Sequence, residues 1–453
     1  MKVVVIGGGA AGMMFSTQYK KANPSHDVSV FEKTEFVAWA GCPTPYYIAK
    51  ELPRESVVLG TADEFIAKGI DVNINHNVKE INVNEKYINV EGNKISGKVF
   101  YDKLILCLGA KSFIPTIEGY DSKLENIFTL SHAKHAFEIE KYIDSKKPKN
   151  ALIVGAGFIG IEMAEAFEKR GMNVTIVEKA STIFPSISEN LKKDIYDEIK
   201  SHNIDLKLNS GLKEILDNGT KAIMENGDKI PFDIALLSIG ITANTDIVSN
   251  TNIETKKGKI VINDKFETNI KDVYAIGDCV LSKFYNTSDD LYAPFGDVAN
   301  KHGMLLAKHL SGQEISWKGL LRSFASSIYE VKLAQTGLSL EEAMDKGYDA
   351  DIIEMKALYR NSAFGGKIPN KMEVIYDKKT KKILGAACVG SEAVAQFIDQ
   401  IAIVITCDIP VGKFIEIDFA YSPTNSSVWN PLLVIYRRSE ERRVGKECLR
   451  LCR

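Results

Sequence analysis

The start of the chain alternates between apolar runs and polar or glycine-rich stretches in an order that predicts strand, loop, helix and strand. Lys2–Ile6 is an apolar run of strand length, and the glycines that follow it predict a tight loop. Met13–Lys21 has helical character, and Val28–Phe31 is a second apolar run that ends at Glu32. The chain therefore opens with a predicted β-α-β unit.

The same order of elements returns further along the chain. Ala151–Val154 is again a short apolar run, and Gly155–Gly160 is again a glycine-rich loop. A helical stretch, Ile161–Arg170, leads to the apolar run Val174–Val177, which ends at Glu178. This internal duplication predicts a second β-α-β unit of the same design and an α/β fold class.

Both glycine loops have the features of a dinucleotide-binding turn. Glycines let the backbone approach a pyrophosphate, whose charge is favoured by the amides at the start of the following helix. The carboxylate at the end of the second strand can accept hydrogen bonds from ribose hydroxyls. The candidate residues are Gly7, Gly9, Ala10, Ala11, Gly12, Glu32 and Lys33 in the first unit, and Gly155, Gly157, Phe158, Ile159, Gly160 and Glu178 in the second.

Two further apolar runs end in turns that fit a flavin site. Leu104–Leu108 is followed by Gly109 and Ala110, and Val273–Ile276 is followed by a Gly-Asp pair that contains Asp278. A carboxylate at this position can meet a ribityl hydroxyl. Because two dinucleotide sites occur with no substrate domain between them, we expect a flavin dinucleotide in the first and a nicotinamide dinucleotide in the second.

The composition excludes several classes of protein. The 453 residues are 45% hydrophobic and 26% charged, which is ordinary for a globular chain of about three domains. A net charge of −2 gives no positive field for nucleic acid or anionic lipid. Seven cysteines are too few for a disulfide scaffold, and no apolar run approaches the ~18 residues of a membrane span. We expect a soluble, cytoplasmic protein without a metal site.

Residues 438–453 differ abruptly in composition from the apolar segment before them. They resemble vector or adapter read-through, so we interpret them as a non-native tail and leave Cys448 and Cys452 out of the chemistry. A natural basic tail that binds a partner is the alternative.

Taken together, these motifs resemble those of the two-dinucleotide-domain flavoprotein disulfide reductases, over about residues 1–437. The resemblance implies two Rossmann-like dinucleotide-binding domains and a C-terminal α+β dimerisation domain. The FAD-binding domain would comprise about 1–115 and 250–322, the NAD(P)H-binding domain 116–249, and the dimerisation domain 323–437. A homodimer is therefore expected.

The resemblance places the redox cysteine of the family at Cys42. Dithiol members carry a second cysteine about five positions later, where this chain has Tyr47, and the C-terminal His–Glu pair of those enzymes is also missing. The single-cysteine branch remains, which includes coenzyme A-disulfide reductase, NADH oxidase and NADH peroxidase. One cysteine can alternate between a thiolate and a mixed disulfide or sulfenic acid. A helix N-terminus and a nearby flavin are expected to lower its pKa.

Several positions narrow this branch further. The peroxidase and many water-forming oxidases carry histidine where this chain has Ala10, which disfavours peroxide reduction. The segment Asp418–Pro423 resembles coenzyme A-disulfide reductase, in which a tyrosine supplies a proton to the departing thiolate across the dimer. Tyr421 is the candidate for that role, and Tyr359 is a second. Pro43 follows the cysteine where relatives have glycine, so the substrate channel is expected to differ.

The resemblance also suggests roles for residues of the nicotinamide unit. Glu178 would hold the 2′-hydroxyl of NADH and repel the 2′-phosphate of NADPH, and Lys179 beside it is not expected to reverse that preference. Glu162 matches a family position that faces the nicotinamide and flavin rings.

Three further assignments concern FAD and coenzyme A. Ala299 lies in Pro294–Gly303, which resembles the family segment whose helix N-terminus faces the flavin ring, while His302 within it is expected to be structural. Lys20 and Lys21 match a basic pair in coenzyme A-binding relatives, although lysines at the end of a helix also occur for dipole reasons.

The predicted function is that of an FAD-dependent enzyme in which NADH reduces the flavin and the flavin reduces Cys42. The leading acceptor is a low-molecular-weight disulfide, either coenzyme A disulfide or a per- or polysulfide. A water-forming NADH oxidase that uses oxygen through a sulfenic acid is the alternative. A flavoprotein electron carrier or redox sensor is a third reading, of another class.

Overall fold

The computed structural model of the protein describes residues 1–364 and 369–440, and these divide into two compact units. Unit 1 consists of Met1–Ser181, Asp205–Lys283 and Ser288–Gly319. Unit 2 consists of Thr182–Ile204, Phe284–Thr287 and the chain from Leu320 onward. Residues 441–453, which make up most of the predicted tail and include Cys448 and Cys452, lie outside the described residues.

The helices are amphipathic or buried segments that cover the sheets. The α-helices are α1 Ala10–Ala22, α2 Thr44–Ile48, α3 Ala62–Ile66, α4 Ala133–Lys146, α5 Phe158–Lys169, α6 Glu189–Ser201, α7 Gly296–Leu310, α8 Leu340–Asp345 and α9 Val394–Thr406. Residues 431–440 are also helical. Short 3₁₀ turns occur at Arg54–Ser56, Asp246–Val248, Gly277–Cys279, Ser362–Phe364 and Val411–Glu416.

The first sheet of unit 1 is parallel and has five strands. Their spatial order is Val273–Ala275, Lys103–Leu106, Lys2–Ile6, Asp27–Phe31 and Asp71–Asn73. Val3 and Val5 point into one core with α1 and α7, whereas Val4 and Ile6 point into a second core on the other face. Both faces are therefore buried, which explains why the first strand is apolar without alternation.

The second large sheet of unit 1 has the same design. Its strands lie in the order Ile127–Phe128, Ile234–Leu237, Asn150–Val154, Asn173–Val177 and Ile204–Lys207. The central strand is parallel to both of its neighbours. In each large sheet the glycine loop follows the central strand, where parallel sheets bind ligands at their carboxyl edge.

Small sheets complete unit 1, and they are antiparallel except that Lys259–Val261 runs parallel to Val280–Lys283. They are His76–Asn82 with Tyr87–Gly92 and Gly97–Phe100; Leu212–Leu216 with Lys221–Met224 and Lys229–Pro231; Thr255–Lys256 with Lys259–Val261, Val280–Lys283 and Asp290–Leu291; and Val37–Trp39 with Val58–Gly60. Ala110–Ser112 pairs with Ile241–Ala243 as two antiparallel strands. The chain therefore leaves the part of unit 1 that contains the first sheet through one of these strands and returns to it through the other.

Unit 2 contains one antiparallel sheet of five strands. The order is Phe324–Ile328, Val331–Gly337, Ile383–Gly390, Asn370–Asp377 and Ala350–Ala357. The buried side chains of α9 belong to the same apolar cluster as this sheet. Helix α6 also belongs to unit 2: the Ser188 hydroxyl donates to Glu373 at 2.7 Å, and Lys371 pairs with Asp194 at 2.7 Å.

The α/β class and both predicted β-α-β units are confirmed, with differences at the element ends. Helix α1 begins at Ala10 rather than Met13, and α5 begins at Phe158 rather than Ile161. Each starts directly after a glycine N-cap, which carries no polar side chain to mark the boundary in the sequence. The division into three domains stays a prediction. None of the helices in the described ranges has the length and apolarity needed to cross a membrane.

Candidate functional site

The first glycine loop closes against the neighbouring strand, and two of its glycines are required by the fold itself. Gly7 has φ +104°, and a methyl group there would lie 2.1 Å from the carbonyl oxygen of Cys107. A methyl group at Gly12 would lie 2.0 Å from the carbonyl oxygen of Gly7. These positions therefore allow the tight turn and the close approach of α1.

The second loop repeats this arrangement. Gly155 has φ +101°, and a methyl group there would lie 2.5 Å from the carbonyl oxygen of Ser238. A methyl group at Gly160 would lie 2.0 Å from the carbonyl oxygen of Gly155. The first and last glycines of both loops thus have the same steric cause.

The middle glycines differ, because no contact with the described residues requires them. A methyl group at Gly9 would have Trp39 Nε1 as its nearest neighbour, 3.8 Å away, and one at Gly157 would meet no described residue within 4 Å. Both residues are helix N-caps with extended backbone and no side-chain cap. The space beside them and the amides of the first helical turn suit a pyrophosphate that approaches the backbone closely. Ala10 and Ala11 lie in that turn of α1, and Phe158 and Ile159 in that of α5.

Glu32 holds the first loop in place. Its Oε2 accepts a hydrogen bond from the Gly8 amide at 2.8 Å, and its Oε1 accepts from the amide and hydroxyl of Thr34 at 2.9 and 2.8 Å. The side chain is buried, whereas the adjacent Lys33 is exposed. Each carboxylate oxygen has two lone pairs, so Glu32 can position the loop and still accept from a ribose hydroxyl.

Glu178 plays the same part in the second loop. Its Oε2 accepts from the Ala156 amide at 2.8 Å and its Oε1 from the Ala180 amide at 2.8 Å. Lys179 forms an ion pair with Glu225 at 2.8 Å. The cation nearest in sequence to Glu178 is thus already paired with a carboxylate.

Asp278 lies beyond the carboxyl end of the strand Val273–Ala275, next to the first glycine loop. Its Oδ1 atom is buried and has no hydrogen-bond partner among the described residues. Burial, and then the charge of Asp297, raise the pKa of this carboxyl to about 6. A buried acceptor without a partner fits a flavin dinucleotide at this edge of the sheet, whose ribityl hydroxyl would satisfy it.

Tyr292 was not among the residues predicted from the sequence. Its hydroxyl is buried and has no hydrogen-bond partner in the part of the chain that the structure describes, and burial followed by the charge of Asp278 raises its pKa. The residue comes directly after the short strand Asp290–Leu291, in a stretch with no glycine or charge pattern that would have marked it. The exposed carboxylate of Asp297, in the first turn of α7, was also missed.

Cys42 is exposed and comes just before α2. Pro43 caps this helix, and the Thr44 amide donates to the Gly41 carbonyl at 3.0 Å. The predicted lowering of its pKa relied on a flavin as well as on the helix and stays a prediction, but the protein's own groups act in the opposite direction. Although the residue is exposed at the surface, burial by the groups packed around its thiol is the largest cause of a raised pKa, and the charges of Glu162, Asp297 and Asp278 raise it further. The five-residue helix α2 is too short to offer a dipole that outweighs burial and three carboxylates.

Glu162 lies on α5, one turn beyond the second glycine loop, and is half-buried. Its charge acts on Cys42 and on Tyr46, where it reinforces the effect of burial in raising the pKa. Pro45, Tyr46, Glu162 and Glu165 line one small pocket between α2 and α5. The structure therefore brings the cysteine segment and the nicotinamide-unit helix together.

The two tyrosines predicted as proton donors lie in unit 2. Tyr421 is 53% exposed, in a loop after the 3₁₀ turn Val411–Glu416. Tyr359 is partly buried against the apolar core of that unit. Their predicted action on a cysteine of the opposite subunit stays a prediction.

The other predicted flavin residues lie around the first loop. The Gly109 carbonyl accepts from the Asn244 amide at 3.0 Å, and Ala110 begins the strand that pairs with Ala243. Ala299 is buried in α7, and its methyl carbon would lie 3.7 Å from a Cβ atom on Gly277.

The basic pair at the end of α1 and the histidine in α7 have different surroundings. The Lys20 ammonium donates to the carbonyls of Pro24 and His26, in the turn after α1, at 2.9 and 2.8 Å, and its role in binding a phosphate stays a prediction. Lys21 is exposed. His302 is fully buried, accepts from the Gly277 amide at 3.3 Å, and has its pKa lowered to about 3 by burial, as suits a structural residue.

Comparison with known proteins identifies the family. The family described as pyridine nucleotide-disulphide oxidoreductase matches residues 1–305, and its dimerisation domain matches residues 325–432. The chain is 31% identical to the NAD(P)H sulfur oxidoreductase (CoA-dependent) of Pyrococcus furiosus, over 96% of this chain and 98% of that protein. It is 28% identical to the coenzyme A disulfide reductase of Staphylococcus haemolyticus, over 94% of this chain and 96% of that protein.

A solved structure agrees with this. The crystal structure of reduced Bacillus anthracis CoADR-RHD superposes with a TM-score of 0.93 at 28% identity, covering 97% of this chain and 80% of that one. Membership implies FAD and a nicotinamide dinucleotide as cofactors, and the residues described above fit both. The chain belongs to the pyridine nucleotide-disulphide oxidoreductase family and is an oxidoreductase with a C-terminal dimerisation domain.

Proposed function

We propose that the protein passes electrons from NADH through FAD to Cys42, which then reduces a low-molecular-weight disulfide. The observation that carries this proposal is the exposure of one thiol: of the cysteines in unit 1, all of them described, Cys107 and Cys279 are buried and Cys42 is exposed. That thiol lies beside α5, the helix that begins at the second glycine loop. Coenzyme A disulfide or a per- or polysulfide is the leading acceptor, as the names of the relatives suggest.

The chain supplies two cradles for the cofactors. Gly9 and α1, with Glu32 and Asp278, would hold FAD, and Gly157 and α5 would hold the nicotinamide dinucleotide. Bound FAD supplies the capacity to take a hydride from the nicotinamide and pass an electron pair to sulfur. The protein residues orient the two dinucleotides and keep Cys42 near the helix of the second cradle.

NADH is the proposed donor rather than NADPH. Glu178 is the carboxylate next to the ribose position, and it is fixed by the amides of Ala156 and Ala180 at 2.8 Å. Lys179, which could otherwise attract a 2′-phosphate, is paired with Glu225. The local charge therefore favours a ribose with a free 2′-hydroxyl.

The reaction balances as NADH and a proton with one disulfide giving NAD⁺ and two thiols. Cys42 attacks one sulfur of the acceptor, the other sulfur leaves as a thiolate, and the electron pair from NADH later breaks the mixed disulfide on Cys42. Tyr421 is proposed to give a proton to the departing thiolate across a homodimer formed through the dimerisation domain.

Steady-state assays of NADH consumption test the proposal. Purified enzyme is supplied anaerobically with coenzyme A disulfide or an inorganic polysulfide, and separately with oxygen while peroxide is monitored. We expect turnover with a disulfide or polysulfide, at least tenfold reduced in Cys42→Ser. Faster turnover with oxygen and no peroxide release would favour the water-forming oxidase, and a flavin-containing protein with no turnover on any acceptor would favour an electron carrier or sensor.

A further inference from the structure

A network of charged groups connects the helix after Cys42 to two helices of the nicotinamide half of unit 1. Lys50, two residues after the end of α2, contacts Glu140 of α4, and its Nζ lies 3.1 Å from Oδ2 of Asp144 on the same helix. Arg170, which caps the end of α5, also contacts Asp144. The Arg170 guanidinium donates in addition to the Ile48 carbonyl at 2.8 Å.

Further contacts strengthen the same junction. The Tyr47 hydroxyl, on a side chain that is only 6% exposed, donates to Glu140. The Lys169 ammonium nitrogen lies 2.5 Å from Oε1 of Glu51 and 2.8 Å from Oε1 of Glu165. The segment after Cys42 is thus attached to α4 and to α5 by several groups that share partners.

This network differs from an isolated surface ion pair. The Arg170 and Glu140 side chains are 15% and 20% exposed, so solvent screens them less than a pair in open water. A guanidinium can bridge a carboxylate and a carbonyl at once, because it presents several donors in one plane. The Ile48 carbonyl is one of the last of α2, and such a group otherwise needs a partner.

Backbone hydrogen bonds carry the attachment from this network to Cys42. The Tyr47 amide donates to the Pro43 carbonyl at 2.9 Å, and the Thr44 amide donates to the Gly41 carbonyl at 3.0 Å. At its other end, α5 begins at Phe158, directly after its N-cap Gly157 in the second glycine loop. One rigid helix therefore connects the nicotinamide cradle with the segment that holds the thiol.

We propose that Lys50, Glu140, Asp144 and Arg170, called here the clamp, are positioning residues that hold the Cys42 segment against α5 and so set the reactivity of its thiol. This inference rests on the proposed function only in treating Cys42 as the reacting thiol. None of the four residues is proposed to touch a cofactor or substrate.

The clamp keeps Cys42 where its thiolate is disfavoured. Burial is the largest cause of the raised pKa of Cys42, followed by the charge of Glu162 on α5; Asp297 on α7 and Asp278 after the strand Val273–Ala275 add to it. When the clamp is broken, the segment can move away from α5, and burial and the effect of Glu162 both weaken. The pKa of Cys42 should then fall towards its ordinary value.

Alkylation of Cys42 tests the inference without turnover. Flavin-containing enzyme is reduced with dithiothreitol, desalted and treated with iodoacetamide between about pH 6 and 10, and alkylation is followed by the mass of the Cys42 peptide. The variant is Arg170→Met, with Lys50→Met and Asp144→Asn as milder alternatives at more exposed positions. Cys407, also exposed, is the internal reference. Lys79→Met is the matched control, since Lys79 pairs with Glu91 at 2.9 Å on another part of unit 1.

We expect the clamp variants to move the midpoint of Cys42 alkylation to lower pH. At pH 7.5 the rate of alkylation should rise about three- to tenfold, because lowering the pKa of the thiol by about half to one unit increases the thiolate fraction by that factor. Cys407 and the Lys79→Met control should be unaffected. A wild-type profile for Cys42 in Arg170→Met and in Lys50→Met would overturn the inference, even if both variants melted earlier. Loss of turnover with every acceptor would count against the proposed function and not against the clamp, because alkylation requires neither NADH nor an acceptor.

Discussion

The middle glycine of the second loop gives the sharpest prediction of the account. Gly157 has φ −79° and ψ −174°, which any residue can adopt, and a methyl group there would meet no atom of residues 1–364 and 369–440 within 4 Å. Gly157→Ala should therefore fold normally. The same methyl group would occupy space that we assign to the pyrophosphate, so binding of NADH should weaken.

Gly157→Ala should change the free energy of unfolding little and the KM for NADH strongly. Alanine is a poorer N-cap than glycine by about 1 kcal/mol, whereas lower entropy of the unfolded chain returns about 0.4–1 kcal/mol. The net change in the free energy of unfolding is thus within about 1 kcal/mol. Loss of close backbone approach should raise the KM for NADH about tenfold to a hundredfold, which corresponds to about 1.4–2.8 kcal/mol of binding.

Gly160→Ala is the matched comparison in the same loop. Its methyl group would lie 2.0 Å from the Gly155 carbonyl oxygen, so the helix must move away from the loop. Such overpacking costs about 1–3 kcal/mol, and each kcal/mol lowers the melting temperature of a unit of this size by about 2–4 °C.

The assay is the KM for NADH under anaerobic conditions, with the melting temperature and the flavin content of each variant. Gly157→Ala should show a raised KM, a melting temperature within about 4 °C of wild type and a full complement of flavin. Gly160→Ala should melt earlier. A wild-type KM for NADH in Gly157→Ala would refute the assignment of the open space to the nicotinamide dinucleotide.

Three further predictions concern the carboxylates and the unpartnered hydroxyl. In flavin-free protein the raised pKa of Asp278, about 6, means that its ionisation opposes folding; stability is full at low pH and is lost as pH rises through about 6. Asp278→Asn should therefore increase the free energy of unfolding at pH 8 by up to about 3 kcal/mol and raise the melting temperature there, with little change at pH 4.5. Equal effects at both pH values would contradict this. Glu178→Ser should raise the KM for NADH and reduce the preference for NADH over NADPH, measured as the ratio of kcat/KM values, and an unchanged ratio would remove Glu178 from cofactor selection. Tyr292→Phe should leave the flavin-free protein as stable but reduce flavin retention on dilution, whereas Tyr101→Phe, which also removes a buried unpartnered hydroxyl, should not.

The local parts of the site could be predicted from the sequence because their causes are local. A glycine that must adopt φ +104° and a carboxylate that holds the loop both lie within one β-α-β unit, where spacing alone identifies them. The choice of Cys42 as the candidate redox cysteine came from the neighbouring residues, through the resemblance to a known family, and it stays a prediction. The helix starts were predicted late, since glycine N-caps leave no polar signal.

The electrostatics of Cys42 could not be predicted, because its causes come from distant parts of the chain. Glu162, Asp278 and Asp297 reach the thiol only after three separate elements have packed; burial in that packing is the largest cause of the raised pKa of Cys42, and the three charges add to it. The same holds for Lys20, whose ammonium is bound by the carbonyls of a turn that folds back on it. The grouping of α6 with unit 2 likewise depends on contacts to Glu373 and Lys371 far along the chain.

The central claim is that Cys42 stores one electron pair in addition to the flavin. The most direct test is an anaerobic titration with NADH of enzyme that has been treated with coenzyme A disulfide and desalted, followed by flavin absorbance. Wild-type enzyme should take up about two equivalents of NADH per flavin, and Cys42→Ser about one. The same uptake in both proteins would contradict the account, because the electrons would then stop at the flavin.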